Sequence, residues 1–114
     1  MSLSTAQRSA RAKAKLFSGF SEVSRLLILE TLRDESRTVT DICRLTGLGQ
    51  ANVSNHLACL LGCRLVARES RGRFAFYRLA HPWVEGLLSL ADEVTSSEPS
   101  DSCCPICGSD IGAP

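Results

Sequence analysis

Cys59 and Cys63 stand four residues apart, and Cys103, Cys104 and Cys107 crowd the C-terminal end of a 114-residue chain. Positions i and i+4 are neighbours on a helix surface, so two thiolates at that spacing can share one soft ion without bending the backbone. Two thiolates do not complete a coordination sphere, because soft ions ask for three or four. The C-terminal cysteines can complete it. Cys103 alone gives a three-thiolate site, whereas Cys104 and Cys107 together give four-thiolate geometry. Cys103 stands first as the third ligand, with Cys104 and Cys107 behind it, and Zn(II) remains a further possible occupant.

The competing account is that these cysteines fill space, since free cysteine is among the residues most often buried. A helical wheel argues against it for the pair. Val53, Leu57, Leu60 and Leu61 define one core face, and Cys59 and Cys63 fall roughly 115° from its centre, on the stripe of Asn52 and His56. Cys43 behaves oppositely, sharing the apolar stripe of Val39 and Ile42, and is read as a core thiol. Redox chemistry is a second use of the same sulfurs. A bridge between Cys59 and Cys63 on an intact helix is poorly aligned, so a redox switch has to involve the C-terminal cysteines. A disulfide oxidoreductase built on Cys104-Pro105-Ile106-Cys107 needs a βαβ setting that the chain lacks, and enzyme chemistry is not expected.

The elements that position these residues follow from periodicity. Residues 3–18 read as a polar, Ala-rich helix with Leu16 and Phe17 at its end, broken at Ser18-Gly19. Glu22 to Arg33 carries Val23, Leu26, Leu27, Ile28, Leu29 and Leu32, apolar on nearly every side, as a central helix would be. Thr38 and Asp41 have the spacing of a capping box opening a short helix, and Gly47 supplies its C-terminal cap position. The next helix runs from Gly49 or Gln50 to about Gly62, giving a helix-turn-helix outline. Leu65 to Ser70 and Phe74 to Leu79 flank Arg71-Gly72-Arg73 as a β-hairpin. Pro82 opens a last helix with Trp83, Leu87, Leu90 and Val94 in one stripe, a face wide enough to suggest a partner helix. The expected fold is mainly α with a β-hairpin wing, a winged helix-turn-helix over residues 1–95 that dimerises through its first and last helices. Residues 96–114 are expected to form a flexible, acidic, Cys-rich tail.

Net charge is only +1, but it is unevenly spread: residues 1–80 hold all 13 Lys and Arg against 6 acids, while residues 81–114 hold 6 acids and no Lys or Arg. A basic body suits a polyanion, with a solvated mixed-charge surface as the plainer alternative. Gln50, Asn52, Ser54, Asn55 and His56 offer short polar groups for base edges and phosphates of double-stranded DNA. Arg71 and Arg73 at the hairpin tip suit phosphates or the minor groove. Ser54 and His56 have a second possible use in satisfying local backbone groups. The N-terminus has Arg8, Arg11, Lys13 and Lys15 but no apolar h-region, and no stretch approaches the ~18 apolar residues of a membrane span. The chain is therefore expected in the cytoplasm, without a membrane partner.

Val53-Ser54-Asn55-His56-Leu57 with Leu60, then Gly62-Cys63-Arg64-Leu65-Val66, then Gly72-Arg73 and Tyr77-Arg78-Leu79 together resemble the ArsR/SmtB family of winged-helix metal-sensing repressors. The resemblance covers about residues 15–95, and with Cys59 and Cys63 added it narrows to the cadmium- and lead-sensing members. It implies that Cys59 and Cys63 bind metal together with a C-terminal cysteine, across a homodimer. The cysteine pair that other members carry at the start of the third helix is replaced here by Thr38-Val39-Thr40. The His and Asp pairs of zinc sensors have no counterpart on the last helix, where only Glu85, Asp92 and Glu93 could ligate. The function this implies is a repressor that holds operator DNA when metal-free and lets go when Cd(II) or Pb(II) binds. An As(III)-responsive repressor of the same fold and a thiol-redox-sensing regulator are the alternatives.

Overall fold

The computed structural model describes residues 2–96, with side chains from residue 4. The expected architecture is observed: α1 (Ser2–Ser18), α2 (Val23–Thr31), α3 (Val39–Thr46), α4 (Gln50–Gly62), β1 (Val66–Arg71), β2 (Phe74–Leu79) and α5 (Pro82–Ser96). Cys103, Cys104, Cys107 and the expected tail from residue 97 onward lie outside the described residues.

The core joins α2, α3, α4, α5 and the root of the hairpin. Ile28, Leu29, Leu32, Ile42, Val53, Leu57, Leu60, Leu65, Val66, Val84 and Leu88 are all buried. Each such aliphatic side chain contributes about 1.5–3 kcal/mol by leaving water. The central helix is less enclosed than its composition suggests. Val23 and Leu27 are 68% and 41% exposed, because only the Ile28-Leu29-Leu32 side of α2 meets α3 and α4. It also ends at Thr31, two residues before the expected Arg33, and Glu22 is its N-cap, accepting the Arg25 N–H at 3.1 Å.

Local chemistry fixes the helix-turn-helix. Thr38 Oγ1 accepts the Asp41 N–H at 3.2 Å while Asp41 Oδ2 accepts the Thr38 N–H at 3.4 Å, so the capping box is complete. Gly47 ends α3 with φ 79°, a left-handed conformation that glycine adopts without a Cβ penalty. Leu48 and Gly49 then turn the chain into α4.

The exit from α4 is a Schellman closure. The Arg64 N–H reaches the Leu61 carbonyl and the Leu65 N–H reaches the Leu60 carbonyl, both at 3.0 Å. Arg64 occupies the left-handed position with φ 64°, where a side chain costs about 1–2 kcal/mol relative to glycine. The gain is a tight turn that buries Leu65 directly after the helix.

The hairpin pairs Val66 with Leu79 through to Arg71 with Phe74, antiparallel. Arg71 therefore belongs to the strand rather than to the turn, and the loop is the two residues Gly72 and Arg73. Gly72 has φ 62° and Arg73 does not have positive φ, the pattern of a type II′ turn whose twist suits a hairpin. A further pairing joins Arg37 to Tyr77, N to O at 2.9 and 2.8 Å in the two directions. It anchors the base of the wing to the start of the helix-turn-helix, and a single bridge of this kind leaves no periodicity in the sequence.

α1 stands apart. Residues 5–15 are exposed, and the helix meets the rest of the chain at its C-terminal end, where Leu16 packs on the core and the Ser18 carbonyl accepts Arg25 Nη2 at 2.9 Å; Gly19, just beyond it, leaves no room for a Cβ beneath Leu65. On α5, Trp83 and Leu90 are 44% and 57% exposed, and Phe17 at the end of α1 is 53% exposed. No helix of the described residues is long and apolar enough to cross a membrane.

Candidate metal and DNA site on the recognition helix

α4 carries two kinds of side chain on its outer surface. Gln50, Asn52, Ser54 and Asn55 are exposed at its N-terminal half, as a base-reading helix end requires, while Val53, Leu57 and Leu60 hold the opposite side in the core. His56 differs from them. It is half-buried, with Nε2 3.8 Å from Glu22 Oε1 at the start of α2. Burial works against the Glu22 charge, but the backbone N–H groups of Arg25 and Ser24, with the charges of His56 and Arg25, outweigh it and hold the carboxyl below its ordinary value. His56 thus faces the helix-turn-helix scaffold as much as it faces outward.

Cys59 is exposed and Cys63 half-buried, and neither is in a disulfide. The two thiols stand one turn apart at the C-terminal end of α4, where Cys63 is the C-cap. Cys63 sits deeper than its position on the wheel suggests, in contact with the core cluster. The physical reason is α1, whose C-terminal half lies beside it: Ala12, Lys15 and Leu16 line a shallow cleft of about 300 Å³ together with Cys63, Gly62 and Arg64. Burial pushes the Cys63 thiol up from its ordinary value and Cys59 adds to it, while Lys15 and Ser18 pull the other way. Cys43 is half-buried against the core, as a packing thiol should be.

The pair supplies two sulfurs and no more. Among the described residues no group of three His, Cys, Asp or Glu side chains assembles around a common point. Two of the three carboxylates of α5 are committed elsewhere: Arg33 meets Glu85 and Asp92, as well as Glu30 and Ser89.

Arg71 and Arg73 are exposed at the wing tip, and the Arg71 guanidinium lies 4.5 Å from the centre of the Phe76 ring, a cation–π contact. The sequence reading placed both arginines there and overlooked the aromatic face beside them, although Phe74 and Phe76 alternate visibly along the strand.

Residues 22–68 match the family described as bacterial regulatory protein, arsR family. The chain is 32% identical over 100 residues to the HTH-type transcriptional regulator CmtR of Mycobacterium tuberculosis, covering 88% of this chain and 85% of that protein. The chain belongs to the ArsR family. Other members agree with the assignment. A probable mercury resistance operon repressor of Streptomyces lividans is 31% identical over 78 residues, covering 68% of this chain and 62% of that protein. The homodimeric winged helix-turn-helix DNA-binding domain of a possible ArsR-family regulator from Mycobacterium bovis superposes with a TM-score of 0.76 at 26% identity, covering 81% of this chain and 85% of that one. This ArsR-family chain is a transcriptional regulator with a DNA-binding winged helix, not an enzyme. The family match ends at Arg68, so it includes Cys59 and Cys63 and excludes the wing tip and α5.

Proposed function

We propose that this chain is a homodimeric, cytoplasmic repressor that holds operator DNA when metal-free and releases it when Cd(II) or Pb(II) binds Cys59, Cys63 and Cys103. One observation carries the reading: two neighbouring thiols lie one turn apart at the C-terminal end of α4, the helix whose exposed Gln50, Asn52, Ser54 and Asn55 we assign to DNA. Cys104 and Cys107 are the substitutes for Cys103, or with it a route to a fourth sulfur. Ligand softness limits the ions without choosing among them, since three sulfurs suit Pb(II) and As(III) and three or four suit Cd(II); the choice of Cd(II) or Pb(II) rests on the likeness of the Cys59 and Cys63 pattern to the cadmium- and lead-sensing members. As(III) and Hg(II) meet the same thiolate chemistry, and the mercury-resistance relative supports a soft ion in general. Zn(II) is less well matched, because Glu85 and Asp92, two of the three acidic side chains of α5 that could serve a harder ion, are paired with Arg33.

Dimerisation through α1 and α5 accounts for the exposed Trp83, Leu90 and Phe17, and it parallels the homodimeric relative. On this reading the C-terminal cysteines that follow α5 in sequence complete the site on the α4 of the partner subunit. Metal binding would lock that segment onto the DNA face, placing carboxylates such as Asp101 near phosphates. Coupling of this kind amounts to ~1–3 kcal/mol, a factor of about 5 to 150, and operator DNA must weaken metal binding by the same factor.

The test is an anisotropy titration on operator DNA with Cd(II), Pb(II), Zn(II), As(III) and Hg(II). Cys59→Ser and Cys63→Ser are expected to bind DNA normally and to lose metal-induced release. A chain ending at Ser102 is expected to lose it too. Undiminished release from the Cys59/Cys63 double variant sinks the site assignment. Release by oxidant in the presence of chelator, with no response to any metal, would favour a thiol-redox regulator instead.

A further inference from the structure

The wing exposes an aromatic residue that the fold does not use. Phe74 opens β2 opposite Arg71 and is 62% exposed. Strand alternation places Phe74, Phe76 and Arg78 on one face, whereas Tyr77 and Leu79, on the other, pack against the core. Phe76 is covered by the Arg71 guanidinium. Phe74 sits one step nearer the tip, and leaving such a ring in water forgoes about 1.5–3 kcal/mol that burial would supply.

Charge indicates what covers it. Arg73 precedes the ring in sequence, Arg71 stands opposite it across the hairpin and Arg78 follows on its face, while Glu69 is the sole carboxylate from residue 66 to residue 79 and is already met by Arg71 at 3.4 Å. An exposed apolar ring at a wing tip that carries several arginines complements the minor groove of duplex DNA, whose walls are phosphates and whose interior offers sugar and base edges. Guanine places an amino group on the floor of that groove, so A·T steps admit a ring more deeply than G·C steps.

We propose that Phe74 is a DNA-contact residue that lies against sugar and base edges in the minor groove while Arg71 and Arg73 hold the adjacent phosphates. The inference rests on the operator-binding role proposed above and adds to it an apolar contact that senses base composition. The arginines supply salt-dependent, sequence-tolerant affinity; Phe74 supplies a contact that salt does not screen.

The full chain is titrated against two labelled duplexes of about 30 base pairs, one A·T-rich and one G·C-rich, at several salt concentrations. Phe74→Ala is expected to weaken binding to the A·T-rich duplex about tenfold and to the G·C-rich duplex less. The slope of affinity against salt should not change, because no charge is lost. Arg73→Ala should flatten that slope by about one unit on both duplexes. Thermal melting of Phe74→Ala should match the parent, since the ring is exposed. Parent-like binding of Phe74→Ala to both duplexes, with the Arg73→Ala slope flattened as expected, overturns the Phe74 role and leaves the DNA role standing. Unchanged DNA binding with a weakened dimer assigns Phe74 to a protein contact and also overturns it. If the parent chain binds neither duplex at low salt, the DNA role itself fails.

Discussion

Arg33 grips Glu85 with two parallel contacts, Nε to Oε1 at 2.7 Å and Nη2 to Oε2 at 3.0 Å, across 52 positions of sequence. A fork-to-fork pair of this kind fixes angle as well as distance. Asp92 adds a contact to Nη1 at 2.8 Å and Ser89 one to Nη2 at 3.0 Å, so one guanidinium just beyond α2 spans two turns of α5. The helix that exposes Trp83 and Leu90 is thereby set at a defined angle to the core.

This pairing predicts an acid-sensitive step in stability. The Arg33 hydrogen bonds, helped by Ser89, hold the Glu85 carboxyl down from 4.5 to about 2. A carboxylate whose folded value is depressed stabilises the fold above the unfolded value, and that contribution is lost as pH falls through the folded value. Stability should therefore decline from about pH 4.5 toward pH 2, and Glu85→Gln should flatten that part of the profile. Urea denaturation of both chains at stepped pH is the measurement; identical profiles contradict the pairing.

Metal affinity should fall with acidification. Burial and the neighbouring Cys59 raise the Cys63 thiol above its ordinary value, so an ion must displace protons that are bound near neutral pH. Competition titrations with a chromophoric chelator should show Cd(II) affinity rising with pH, and calorimetry in two buffers should show protons released. Chelator added to a metal-released complex should restore DNA binding.

Two glycines should respond with opposite sign to alanine. A Cβ on Gly19 would run into Leu65 Cδ1, and Leu65 is fully buried, so Gly19→Ala should destabilise by about 1–3 kcal/mol through overpacking. Gly62 has nothing within 4 Å of such a carbon and lies in the last turn of α4. Gly62→Ala should be neutral or stabilise by up to about 1 kcal/mol. Thermal melts that rank the two variants in the reverse order refute the placement of α1 against the core.

Arg64 offers a matched test of the helix exit. With φ 64° it occupies a position that glycine fills without strain, and Arg64→Gly should stabilise by about 1 kcal/mol. Thr38→Ala should cost about 0.5–2 kcal/mol by removing the side-chain acceptor of the α3 cap. Denaturant midpoints measure both, and a shift in either direction opposite to these contradicts the cap geometry.

The order and type of the elements were legible in the chain because each rests on local chemistry: the Thr38–Asp41 box, Gly47, Pro82, and the alternation of residues 74–79 act on their own neighbours. The polar surface of α4 and the adjacency of Cys59 and Cys63 follow equally from a repeat of 3.6 residues per turn. Tertiary contacts decided the rest. A wheel cannot know that the C-terminal half of α1 lies beside Cys63, or that His56 meets Glu22, since both depend on where a separate helix lands. Nor does periodicity reveal that Arg33 takes up Glu85 and Asp92, or that Arg37 pairs with Tyr77. Those contacts join residues far apart in sequence, and their energy exists only once the core has brought the elements together.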